Sequence, residues 1–147
     1  MTLSGRAPGF RGEFLWELEI ATRQHLALAE ALPASKYTWR PDAKARSVSE
    51  VFVHVAAGIF MLLDIVGRSA PADLYGGVPS CGEEHFTGLI RRNDELEARI
   101  TDKQAVLAIL KRALQAAQQA FTEASETDLE RRQQFFYEDT KIGRAHV

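Results

Sequence analysis

The chain is poor in the features that announce a function outright. It has one cysteine, Cys81, so no disulfide can form within it, and a reducing compartment, the cytoplasm, is the expectation. Its apolar stretch around Val55 to Leu63 is far shorter than the roughly 20 residues a bilayer span needs, so no membrane span is expected. The net charge of -2 supplies no basic field for nucleic acid. The opening residues MTLSGRAPGFRGE lack the apolar centre of a secretion signal. There is no G-x-S-x-G, no H-E-x-x-H and no glycine-rich phosphate loop, which removes the commonest hydrolase, protease and nucleotide-binding signatures. No internal repeat or low-complexity tract occurs.

What is present is an ordinary globular composition, 46% hydrophobic and 26% charged over 147 residues, enough for one domain with a core of its own. Between Phe10 and Leu32 the residues Phe14, Leu15, Leu18, Ala21, Leu26 and Ala29 recur at helical spacing, and Pro33 marks the exit. Ile20 and Leu28 fall outside that stripe, so a further helix or a second subunit is expected to cover this wide face. Pro33 to Arg46 reads as an ordered connection in which Tyr37 and Trp39 plug the bundle end. Ser47 and Glu50 have capping-box spacing and open a second helix. Along it Val51, Val55, Gly58, Leu62 and Ile65 define the face expected to point inward, with His54 among them.

Gly67, Pro71, Gly76, Gly77, Pro79 and Gly82 predict a loop from about Arg68 to Gly82. Glu83 to Ile100 is charged, with a few apolar positions, and is expected to be helical. Thr101 and Gln104 again have capping-box spacing, before an amphipathic helix carried by Val106, Leu107, Leu110, Ala113, Leu114, Ala117, Ala120 and Phe121 and running to about Ala124. Thr127-Asp128 reads as a turn, and RRQQFFYEDT, without a helical stripe, as extended. The sum is an all-α bundle.

Four groups of residues carry chemistry. His54, on an inner bundle wall, could bind a divalent metal if neighbouring helices brought further ligands; the alternative is a hydrogen-bonded core histidine. His25 has no partner one turn away and is expected to pack at a boundary. Cys81-Gly-Glu-Glu-His85 brings soft and hard ligands close together but lacks the second pair of a zinc motif, so an exposed loop with a free thiol is the expectation. The neighbours Glu83 and Glu84 carry the wrong charge to support a thiolate nucleophile at Cys81. The charged runs Glu95 to Arg99 and Glu126 to Arg132 read as solvated faces.

The segment EALPASKYTWRPDAKARSVSEVFVHVAAG, Glu30 to Gly58, resembles the DinB-like superfamily, which includes the YfiT type. The matching features are Ala31-Leu32-Pro33, Tyr37, Arg40-Pro41, the helix-opening Ser47 and His54-Val55-Ala56. TDKQAVLAILKRALQAAQQAF and SETDLERRQQFFYEDT look like the family's third helix and the link after it, so the resemblance runs from about Phe10 to Lys141. It implies an up-down-down-up four-helix bundle, commonly a homodimer. It also implies that His54 binds a divalent metal (zinc, nickel or iron) with two histidines of an H-x-x-x-H motif on the fourth helix. Thiol-dependent transferases and isomerases that use low-molecular-weight thiols belong to that family, and a transferase or hydrolase reaction is the expectation. This chain departs from the pattern after Thr140, where it reads Lys141-Ile-Gly-Arg-Ala-His-Val147 and His146 has no partner four residues on. IGRAHV is one translation of the sequencing-adapter sequence ATCGGAAGAGCACACGTC. The expectation is a bundle over residues 10–141 with the fourth helix largely missing and the metal site incomplete, followed by a non-native tail, residues 142–147.

Overall fold

The computed structural model describes residues 7–131, and all regular structure among them is helical. Four long helices are present, α1 (Gly9–Ala31), α2 (Val48–Ile65), α4 (Glu83–Arg99) and α5 (Lys103–Glu123); the short helix α3 (Ala72–Tyr75) lies in the connection between α2 and α4, and a second short helix, α6 (Glu126–Glu130), follows α5.

Helix α1 ends where Pro33 supplies no amide hydrogen for the Ala29 carbonyl, its partner four residues back. The Tyr37 hydroxyl takes that place, donating to Ala29 O at 2.6 Å. The Lys103 ammonium donates to the neighbouring carbonyls of Glu30 at 2.7 Å and Leu32 at 2.6 Å, a cation at the negative end of the helix. Tyr37 is thus the expected plug, fully buried, whereas Trp39 is mostly exposed and plugs nothing.

The start of α2 is the capping box read from the sequence. The Ser47 side chain accepts from the Glu50 amide at 3.3 Å, and the Glu50 carboxylate accepts from the Ser47 amide at 2.7 Å. Helix α5 departs from its reading by one residue: Asp102, not Thr101, is the cap, and its carboxylate accepts from the amides of Gln104 at 3.0 Å and Ala105 at 3.1 Å. A charged acceptor that reaches two amides outcompetes a hydroxyl one place earlier. Thr127-Asp128, read as a turn, falls within α6, where Ser125 and Asp128 form a second capping box. The segment from Arg132 onward, which holds most of the expected extended link and the whole expected tail, and with it the expectation that the fourth helix is largely missing, lies outside the described residues.

Contacts at both ends set the helix directions. Phe14 stacks on Phe121 with centroids 3.7 Å apart, and Glu30 pairs with Lys111 at 3.2 Å, so α1 and α5 are antiparallel. Arg68, just past α2, pairs with Glu123 at the end of α5, so those two run parallel. Helix α4 lies antiparallel to α2 and carries the crossover between them. Helices α1, α2 and α5 therefore follow the up-down-down order, with α4 in the connection.

The predicted loop between α2 and α4 is tied down at several points. Arg112 holds Asp73 through two 2.7 Å bonds, Arg92 donates to Leu74 O at 2.7 Å, and Asp64 accepts from the Ala70 amide at 2.8 Å. Gly88 lets the loop's Val78 lie against α4, since a Cβ there would stand 3.0 Å from Val78 Cγ1.

The face of α2 that enters the core is not the one expected from the sequence. Ser49, Phe52, Val53, Ala56, Ala57, Phe60 and Leu63 are buried, while Val51, His54 and Leu62 are exposed. Apolar residues encircle this helix, so periodicity offered two candidate stripes. The winning side carries the large aromatics together with Ser49, Ala56 and Ala57, whose small side chains let α4 and α5 approach closely. By length and apolarity Val48–Ile65 is, among the described residues, the one helix able to cross a membrane. Its central position in the core accounts for the same composition, with Phe60 against Tyr75 and the buried face packed on α4 and α5.

Candidate functional site

Three elements converge near the start of α2 and the end of α4. Helix α2 brings His54, α4 brings Glu97, and the connection before α2 brings Arg46. His54 Nδ1 lies 2.6 Å from Glu97 Oε1, and Arg46 Nε donates to Glu97 Oε2 at 2.7 Å. Glu97 is only 7% exposed, whereas 54% of the His54 side chain faces solvent. His54 is thus a rim residue over a buried carboxylate, and not the inward-pointing core residue expected from the sequence.

Glu97 is buried because α4, which packs on α2, has one buried stripe that includes Leu89, Asn93, Leu96 and Glu97. Its two polar members are both matched. The Asn93 side-chain oxygen accepts from the Tyr75 hydroxyl at 2.7 Å, and Glu97 has its two basic partners. Burial, and secondarily the negative Asp64, push the Tyr75 hydroxyl's pKa upward, which keeps it a donor. The bond to Glu97 raises the pKa of Arg46. Glu97 also lines an open cleft of about 370 Å³ with Arg40, Lys44, Arg46, Glu50 and Asp94. Within that lining Arg40 is committed to Glu50 at 2.9 Å and to Ala45 O at 3.1 Å.

The reading of Glu95 to Arg99 as a solvated face therefore fails at Glu97. A sequence signal was available: Asn93 and Glu97 share a stripe with Leu89 and Leu96, and polar residues in an apolar stripe need partners in the core. Nothing in the sequence pointed to Arg46.

The other candidates lie apart from this site. His25 donates from Nδ1 to Ala21 O at 2.7 Å within α1, as befits a boundary residue. His85 engages both ring nitrogens with groups other than Cys81, one with Pro79 O and the other with Asp64 Oδ1 at 2.5 Å. Cys81 is exposed with a free thiol, and Glu83 and Glu84 stand in solvent at the first turn of α4, so the loop assembles no ligand set. No group of three or more His, Cys, Asp or Glu residues able to hold a metal occurs among the described residues. His146 lies outside them.

No curated protein and no solved structure matches the chain. The family model of the DinB superfamily matches residues 17–146, from the third turn of α1 past the end of α6. With that match spanning nearly the whole sequence and a helical bundle beneath it, the chain belongs to the DinB superfamily.

Proposed function

We propose that the protein is a divalent-metal-dependent enzyme in which His54 supplies one ligand, and that its substrate is a low-molecular-weight thiol handled in a transferase or hydrolase reaction. The observation that carries this reading is the setting of His54. It is a half-exposed imidazole with one ring nitrogen engaged by a buried carboxylate and, among the described residues, no partner on the other. Metal-binding histidines adopt this arrangement, with a carboxylate behind the ring and an open position before it. One imidazole is not a site, so the remaining donors must come from outside the described residues. A bound zinc, nickel or iron ion would supply Lewis acidity to a thiolate or water. The chain's own residues hold the imidazole at the rim, and the cleft beside Glu97 offers Lys44 and Arg46 to a negatively charged substrate group. The lone exposed cysteine fits a reducing compartment, and we place the protein in the cytoplasm.

The test is metal content after overexpression of the full chain and of its His54→Ala variant. The reading predicts detectable metal in the first, held together with donors outside the described residues, and a large loss in the second. Equal loading of the two, or none in either, rejects His54 as a ligand.

A second reading rests on a different observation: Val51, Leu62 and Val66 form an exposed apolar stripe along α2, and Phe10 and Leu28 stand exposed on α1. Such surfaces suit a non-catalytic bundle that acts by homodimerisation or partner binding. Light scattering separates the two, since a monomer that gains thermal stability with zinc fits only the first.

A further inference from the structure

The Arg46–Glu97 pair is an expensive arrangement in a small bundle. A glutamate is rarely this buried unless it is paired, and a carboxylate that shares the buried side of its helix with Leu89 and Leu96 would be replaced at little cost by an apolar residue if packing were its only task. Its two oxygens are divided between different partners, Oε2 to Arg46 Nε at 2.7 Å and Oε1 to His54 Nδ1 at 2.6 Å. Arginine can only donate, so its contact holds Glu97 as an acceptor. A carboxylate that only accepts requires the facing ring nitrogen to be the one that carries hydrogen. In a neutral imidazole the lone pair is then on Nε2, at the half-exposed edge of the ring.

We propose that Glu97, anchored by Arg46, is the positioning residue for His54: it fixes the Nδ1–H tautomer and so presents Nε2 as the donor to a divalent cation. The part that concerns the cation rests on the metal-dependent reading above, while the part that concerns the tautomer does not. Glu97 touches no ligand and acts only through His54. A glutamine in its place keeps the shape and reverses the chemistry. Arg46 would take the single amide oxygen, leaving the amide NH2 to face Nδ1. Nδ1 would become the acceptor and Nε2 would carry the hydrogen, which blocks the ligating position.

The experiment uses the full metal-free chain and its Glu97→Gln variant, labelled with 15N, at a pH where the imidazole is neutral. Long-range proton–nitrogen correlation spectra report the tautomer, and His54→Ala identifies the His54 signals. The expected result is the Nδ1–H form in the parent and the Nε2–H form in Glu97→Gln, with zinc affinity about 10- to 100-fold weaker in the variant. The parent spectrum needs no mutant to fold: an Nε2–H tautomer there overturns the proposal, as does the same tautomer in both proteins when both are folded. If the tautomer inverts as expected but neither protein binds zinc, the positioning role stands and the metal reading fails.

Discussion

The Tyr37 hydroxyl and the Ala29 carbonyl meet at 2.6 Å across eight residues, and neither residue is exposed to solvent. The contact exists because Pro33 cannot donate to Ala29, so the turn that ends α1 borrows a donor from the connection. Tyr37→Phe leaves that carbonyl unsatisfied while keeping the ring against Phe52, and should cost about 1–3 kcal/mol. Urea unfolding checks this; an unchanged midpoint would show that water or Lys103 satisfies the carbonyl.

The capping box at α2 gives a pH dependence of known sign. The Ser47 amide first, and then Arg40, hold the Glu50 carboxyl below its ordinary range. A depressed folded-state value stabilises the fold above the unfolded-state value, and that contribution is lost as pH falls through the folded-state one. Glu50→Gln should therefore lower Tm at pH 7 and flatten its decline between about pH 5 and pH 3, where ordinary glutamates titrate. A parallel fall of the two Tm curves would mean that Glu50 contributes nothing specific.

Local chemistry is what the sequence displayed most clearly. Ser47 with Glu50, and Pro33 after a helical stripe, each have one physical meaning, so the bounds of α1 and α2 were legible. The choice between two apolar stripes on α2 was not, because it depends on which side the small residues Ser49, Ala56 and Ala57 open to α4 and α5. Half of the candidate site was legible in the same way. His54 stood out by type and by its family motif, whereas Glu97 gains its meaning only when a crossover helix sets it beside a residue 43 positions away.

Asp64 and His85 fasten the connection between α2 and α4. One Asp64 oxygen accepts from the Ala70 amide at 2.8 Å and the other meets His85 Nε2 at 2.5 Å, while His85 Nδ1 donates to Pro79 O. His85→Ala removes two of these three links. Hydrogen exchange should quicken at the Ala70 amide while the amide of Leu110, in the middle of α5, keeps its protection. Unchanged protection at Ala70 would show that Arg92 and Arg112 hold the connection by themselves.

Two neighbouring residues of α2 test which of its faces is the core. Phe60 is 2% exposed and packs edge-on against Tyr75, with ring centroids 6.2 Å apart. Leu62 is 45% exposed, on the same stripe as His54. Truncating the first opens a cavity between α2, α5 and the connection that carries Tyr75, so Phe60→Ala should cost about 3–5 kcal/mol. Truncating the second removes surface that water already reaches, and Leu62→Ala should cost about 0.5 kcal/mol or less. Denaturant unfolding of both variants at low protein concentration reads the difference. Equal costs would mean that the stripe around His54 is covered in solution, and a Leu62→Ala cost that grows with protein concentration would identify the cover as a second copy of the chain.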